Sequence, residues 1–171
     1  MAITFNTTVG DPAANSYATV DEADDYLTQA RLHVSTGWTE LTNNQKEAAL
    51  MWATREVDLY EYVGTLLATD QALQWPRLNA YTHDGRLVAE DAIPQAVKDA
   101  QAELAYFLAQ ADPAGVPAGE EYEKVKVGPI EVTMRDRAGS GEILEQAPPD
   151  VRAMLKRYLK AQGIRIPLMR G

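Results

Sequence analysis

Few residue types in this chain can do chemistry, and their spacing narrows the field further. There are two histidines, His33 and His83, and no cysteine. His83 adjoins Asp84, a pairing that resembles a general base with an orienting carboxylate. Adjacent residues in a turn rarely face each other, however, and no serine nucleophile motif accompanies them. Asp84, Glu90 and Asp91 carry the oxygen ligands magnesium prefers, but in no recognisable spacing. Asp21, Glu22, Asp24 and Asp25 lack the turn glycine and closing glutamate of a calcium loop. Gly139-x-Gly141 has no strand leading in and no helix following at the distance a dinucleotide loop needs. Without cysteine there is no thiolate zinc site, disulfide or cysteine nucleophile. The expectation is a protein without catalysis, metal or cofactor.

Charge is the stronger signal. The chain carries a formal −9, unevenly spread. Residues 151–171 hold Arg152, Lys156, Arg157, Lys160, Arg165 and Arg170 and no acidic residue, a net +6. Residues 1–150 hold ten basic and all 25 acidic residues, a net −15. An acidic body repels nucleic acid, and a basic end suits an acidic partner. Nucleic-acid binding needs cations interleaved with aromatics. Tyr158 sits among the terminal cations but on the apolar stripe of its helix. Trp75 and Tyr81 are the other stacking candidates, but only Arg77 and Arg86 are basic nearby, against Asp84, Glu90 and Asp91.

The elements that must position these residues are mostly helical. Thr19 and Glu22 form a capping box, and Val20, Ala23, Leu27 and Ala30 share the face of a first helix ending before Gly37. Thr42 and Gln45 open a second, with Ala49, Trp52, Ala53, Val57, Tyr60 and Val63 in its stripe and Gly64 as its stop; about 20 residues give a rod of roughly 30 Å. Residues 65–92 read as a long irregular arm, with Trp75-Pro76-Arg77 breaking any helix and His83-Asp84-Gly85-Arg86 turning a short hairpin between Tyr81 and Leu87-Val88. A third helix follows Ile93, with Pro94 in its first position and Ile93, Val97, Ala100, Leu104, Phe107 or Leu108, and Ala111 at spacings of three and four. Asp112 to Gly119 is a Pro/Gly-rich linker. Beyond it the period changes to two: Val125 and Val127, then Ile130, Val132 and Met134, flank Gly128-Pro129 as two short strands. Pro148-Pro149-Asp150 starts a last helix whose stripe is Val151, Met154, Leu155, Tyr158 and Leu159. Gly163 ends it, and Ile164-Arg165-Ile166-Pro167-Leu168-Met169-Arg170 continues as an apolar, extended tail.

The predicted fold is therefore mainly α. It is a small helical bundle with a long irregular arm, a short two-stranded β element and an extended C-terminal tail. A chain of 171 residues with 46% hydrophobic content suits a single domain. Its parts are a helical core over about 18–111 with the arm at 65–92, a strand pair over about 122–136, and a C-terminal helix and tail at 148–171. No secretory leader is visible after Met1, and no run is apolar and long enough to span a bilayer. The expectation is a soluble protein of a reducing cytoplasm, with no membrane partner.

Four segments carry a resemblance to a known family. They are Ala14-Asn15-Ser16-Tyr17 running on to Tyr26-Leu27, and Lys46-Glu47-Ala48-Ala49-Leu50 leading to Ala53-Thr54-Arg55. The others are Gln71-Ala72-Leu73-Gln74-Trp75-Pro76-Arg77 followed by Asp84-Gly85, and Ile93-Pro94-Gln95-Ala96-Val97 through Ala105. Together they cover residues 14–110; residues 111–171 match mainly in layout. The chain resembles tailed-bacteriophage head–tail connector (adaptor) proteins, a family that sometimes carries the label of a DnaT-like, primosomal single-stranded-DNA-binding protein. The adaptor resemblance implies a structural virion protein of the neck, between capsid and tail, assembled in the host cytoplasm. It implies a homo-oligomeric ring of about twelve copies docked on the portal protein. Such a ring would extend the DNA channel for packaging and ejection, pass double-stranded DNA without binding it specifically, and carry downstream tail or neck proteins. Arg152, Lys156, Arg157, Lys160, Ile164, Arg165, Ile166, Leu168, Met169 and Arg170 are then the expected portal contacts. Trp75, Arg77 and Tyr81 are the expected contacts between subunits. A single-stranded-DNA-binding replication protein is the alternative reading, and the acidic body argues against it.

Overall fold

The computed structural model describes residues 3–31, 36–110, 125–127, 130–132 and 148–160. Its first helix, α1 (Val20–Asp25), opens on the expected capping box. The Thr19 hydroxyl accepts from the Glu22 N–H at 3.1 Å, and the Glu22 carboxylate accepts from the Thr19 N–H at 2.9 Å. The helix widens into a π-turn over Tyr26–Ala30 and stops there, short of the expected end near Gly37. Gly37 instead lies inside a separate short helix, α2 (Thr36–Thr39), which carries the fully buried Trp38.

The next helix, α3 (Asn43–Val57), also starts where its cap predicts, with Gln45 Oε1 accepting from the Thr42 N–H at 2.9 Å. It is shorter than the apolar stripe suggested. Past Asp58 the backbone turns, because residues 61–63 find partners outside the helix. The Val63 N–H donates to Tyr158 O and the Lys160 N–H to Glu61 O, both at 2.9 Å. A bridge between Tyr62 and Leu159 thus joins the middle of the chain to its C-terminal part.

The arm is not a free extension. Strands β1 (Thr65–Leu66) and β2 (Arg77–Leu78) pair antiparallel, with Thr65 opposite Leu78. The loop between them is closed by Gln71, whose amide donates to Leu73 O at 2.7 Å and Pro76 O at 3.0 Å. Gly64 enters the pair at φ +77°, where a Cβ would lie 2.4 Å from Leu78 O. Only glycine fits that position without moving backbone. The second half of the arm is the expected hairpin. Tyr81 faces Leu87, the Thr82 N–H donates to Arg86 O at 2.9 Å, and Gly85 turns the chain at φ +79°.

At the centre lies α4 (Gln95–Gln110), which packs α3 on one side and α5 (Pro149–Leu155) on the other. Pro94 sits one residue before α4, and its carbonyl accepts from the Val97 N–H at 2.9 Å. Val97, Ala100, Leu104 and Leu108 are buried on the face the spacing predicts, and Ala102 and Ala105, outside that stripe, are buried too. The small alanines let α3 and α5 approach closely. One polar residue is buried with them. Gln101 accepts from the Ala18 N–H at 2.9 Å, and its amide lies 2.7 Å from Ser16 Oγ, 2.8 Å from Thr54 Oγ1 and 3.1 Å from Leu50 O. This side chain ties the N-terminal segment, α3 and α4 at one point, and its full satisfaction is what makes its burial tolerable.

Two acidic residues of α1, Glu22 and Asp24, have structural partners. Asp24 accepts from Lys46 Nζ at 2.8 Å and from the Trp38 indole at 2.7 Å, while Glu22 pairs with Lys98 at 2.5 Å. Strands β3 (Val125–Val127) and β4 (Ile130–Val132) form the expected antiparallel pair, with Lys126 opposite Glu131. The whole is mainly α with small β elements, as the sequence predicts.

Candidate nucleic-acid interface

Helix α5 is short, seven residues, and runs directly into a 3-10 turn over Lys156–Tyr158. Its apolar stripe seats it: Val151 and Leu155 are fully buried, and Tyr158 nearly so. With those side chains fixed inward, helical geometry sends Arg152, Lys156 and Arg157 outward. All three are exposed, as is Lys160 just beyond. No acidic residue lies between Val151 and Lys160.

The hairpin at 81–87 comes to the same place. The His83 Nε2 lies 3.1 Å from Leu159 O, and Asp84 lies within the electrostatic reach of Arg157. Asp84 itself is held by the Thr82 hydroxyl at 2.5 Å and by Arg86 at 3.0 Å. Those hydrogen bonds and the two arginines keep its carboxyl below the usual range. Arg152 acts on Tyr60, on the other flank. The result is a surface strip of Arg86, Arg152, Lys156, Arg157 and Lys160, with Asp84, Glu61 and Asp150 among the carboxylates beside it. Tyr81 and Leu87, 51% and 56% exposed, stand on the hairpin at its edge.

Elsewhere the surface is different in kind. An open groove of about 550 Å³ between the π-turn and the start of α4 is lined by Glu22, Asp25, Tyr26, Gln29, Ala30, Gln95 and Asp99. Its three carboxylates would repel a phosphate backbone. Among the described residues no group of histidine, aspartate and glutamate is arranged to hold a metal ion, and no helix is long and apolar enough to cross a membrane.

The other expected contact residues lie elsewhere. Trp75 is 1% exposed in the core of its own subunit, edge-on to Tyr62 at 5.6 Å and to Tyr158 at 5.7 Å. It is therefore neither a surface anchor for a neighbouring copy nor a stacking residue. Arg77 is also turned inward: its guanidinium donates to Val63 O at 2.7 Å, Gly64 O at 2.9 Å, and Gln74 O and Oε1 at 3.0 and 2.8 Å. These bonds hold the base of the arm, and burial lowers the arginine's pKa. Of the three expected subunit contacts only Tyr81 is on the surface. Ile164, Arg165, Ile166, Leu168, Met169 and Arg170 lie outside the described residues. Sequence reasoning found the turn at 83–86 but not its place against α5. No local signal joins residues about 70 positions apart.

A family model described as "Putative DnaT-like ssDNA binding protein" matches the chain over residues 1–171. No curated protein and no solved structure matches it significantly. The match overturns the adaptor reading, and with it the virion, portal-docking and channel roles that followed from the resemblance. The −15 of residues 1–150 does not by itself exclude a nucleic acid, because a ligand meets the potential at one face, and α5 and the hairpin present cations at theirs. The chain belongs to the family that carries this description.

Proposed function

We propose that this protein binds single-stranded DNA in a replication setting, through the basic strip of α5 and the adjoining hairpin. The whole-chain family match carries the reading. The strip supports its location, because single-strand binding without sequence preference rests on cations that follow the phosphate backbone. Arg152, Lys156, Arg157 and Lys160 are long and exposed, with Arg157 lying over the Tyr158 ring at 6.0 Å.

Fluorescence anisotropy with a labelled oligothymidine, repeated across salt concentrations, tests it. The expected result is binding whose logarithm falls linearly with the logarithm of salt, by about 0.7 per phosphate neutralised. Replacing Arg152, Lys156, Arg157 and Lys160 together by glutamine should remove most of the affinity and flatten that slope, with an unchanged helical circular-dichroism signal. Binding that survives the fourfold change at wild-type strength would place the interface elsewhere. No binding at low salt by the wild-type protein would end the reading.

A further inference from the structure

We infer that Tyr81, backed by Leu87, is a base-stacking platform that makes the strip select unpaired bases over duplex; this rests on the reading above. Cations alone do not distinguish one nucleic acid from another, since both single strands and duplexes present phosphates. What separates them is access to base faces. In a duplex these are stacked inside, whereas in a single strand they are free to lie on an aromatic ring.

Tyr81 meets the requirements for such a ring. Among the described residues it is the one exposed aromatic side chain; the other described tyrosines, tryptophans and phenylalanines are buried or half-buried. It does not stand on a loose loop. Tyr81 and Leu87 are opposed across the hairpin, so their side chains share one face and the leucine supports the ring. The hairpin is closed by the Gly85 N–H donating to Thr82 O at 2.8 Å and the Thr82 N–H to Arg86 O at 2.9 Å. At its tip His83 meets Leu159 O, which sets the platform beside the cations at the end of α5. Arg86 and Arg157 are thus placed to hold the phosphates of a nucleotide whose base lies on Tyr81.

The experiment compares wild type, Tyr81→Ala, Tyr81→Phe and the double variant Arg157→Glu/Lys160→Glu on an oligothymidine and on a duplex of equal length. Tyr81→Ala should weaken single-strand binding by about tenfold or more. Duplex binding and the salt slope should stay unchanged, because no phosphate contact is lost. Tyr81→Phe should behave as wild type, because stacking uses the ring and not the hydroxyl. Equal losses on both ligands, or none on either, would overturn the inference. So would a Tyr81→Ala variant that changes only the sedimentation coefficient of the protein alone, since Tyr81 would then be a contact between copies. The double variant separates the two claims. If it loses single-strand binding while Tyr81→Ala keeps it, the strip stands and the platform falls; if it binds like wild type, the strip itself is misplaced.

Discussion

Two aspartates show how one residue type is put to opposite uses. Asp84 is exposed and paired with Arg86, with Arg157 within electrostatic reach. Asp84→Asn frees Arg86 and removes a repulsive charge, so on the proposed reading single-strand affinity should rise several-fold and the salt slope should steepen; a loss of affinity would show that Asp84 serves to hold the hairpin. Asp58 is the buried case. Burial pushes its carboxyl up from 3.8 to about 6, against the opposing pull of the Tyr17 hydroxyl, the Gln74 N–H and Arg77. The folded chain then holds this proton to higher pH than the unfolded chain does. Stability from this group is therefore lost as pH rises from about 4 to 6, and the full cost, on the order of 3 kcal/mol, is present above that window. Asp58→Asn keeps an acceptor for Tyr17 and removes the charge. It should stabilise the protein by about 1–2 kcal/mol near neutral pH and by much less near pH 4. Urea melts at the two pH values check this; an equal gain at both would mean that the carboxylate carries no burial cost.

Helix α5 shows how an element joins stability to binding. Leu155 is fully buried in the core, while its neighbours Lys156 and Arg157 are exposed. Leu155→Ala should cost about 2–5 kcal/mol in denaturant melts. Because it loosens the seat of the cations, it should also weaken single-strand binding at temperatures where the rest of the fold persists. Gly64→Ala should cost at least about 1 kcal/mol, since the left-handed φ and the Leu78 carbonyl both oppose a Cβ. The parts of the fold readable in the sequence were those with local causes. The capping boxes at Thr19 and Thr42, the face of α4, the strand pair at 125–132 and the Asp-Gly turn all follow from residues within a few positions of one another. The unreadable parts were tertiary. Helix α3 stops at Val57 because residues 61–63 pair with residues 158–160, and nothing near Tyr60 announces it. Trp75 and Arg77 were expected at subunit contacts because the adaptor resemblance implied that role for the arm. They are buried because a segment without helix can still fold back and supply core. The candidate interface was half readable: the cations were plain, their hairpin partner was not.

At the scale of the molecule, −9 overall hides a polar distribution. A protein with that charge should pass through a heparin column. This one should be retained at low salt and elute early in a gradient, while the variant with Arg152, Lys156, Arg157 and Lys160 all changed to glutamine should flow through. Retention of that variant would point to a second cationic face. On the proposed reading, the acidic remainder would keep a bound strand to one face rather than wrapped around the body. The bridge between Tyr62 and Leu159 adds something about time. Its two sides are 97 positions apart, so during synthesis the arm and the central helices emerge long before their C-terminal partner exists. Until Lys160 has left the ribosome, the backbone of residues 61–63 lacks its partner strand, Trp75 lacks Tyr158, and the hairpin has nothing to dock on. All the cations of the strip but Arg86 arrive in the same segment that completes the core. A half-made chain is thus an acidic, unfinished body, and on the proposed reading its pull on DNA would appear together with the finished fold.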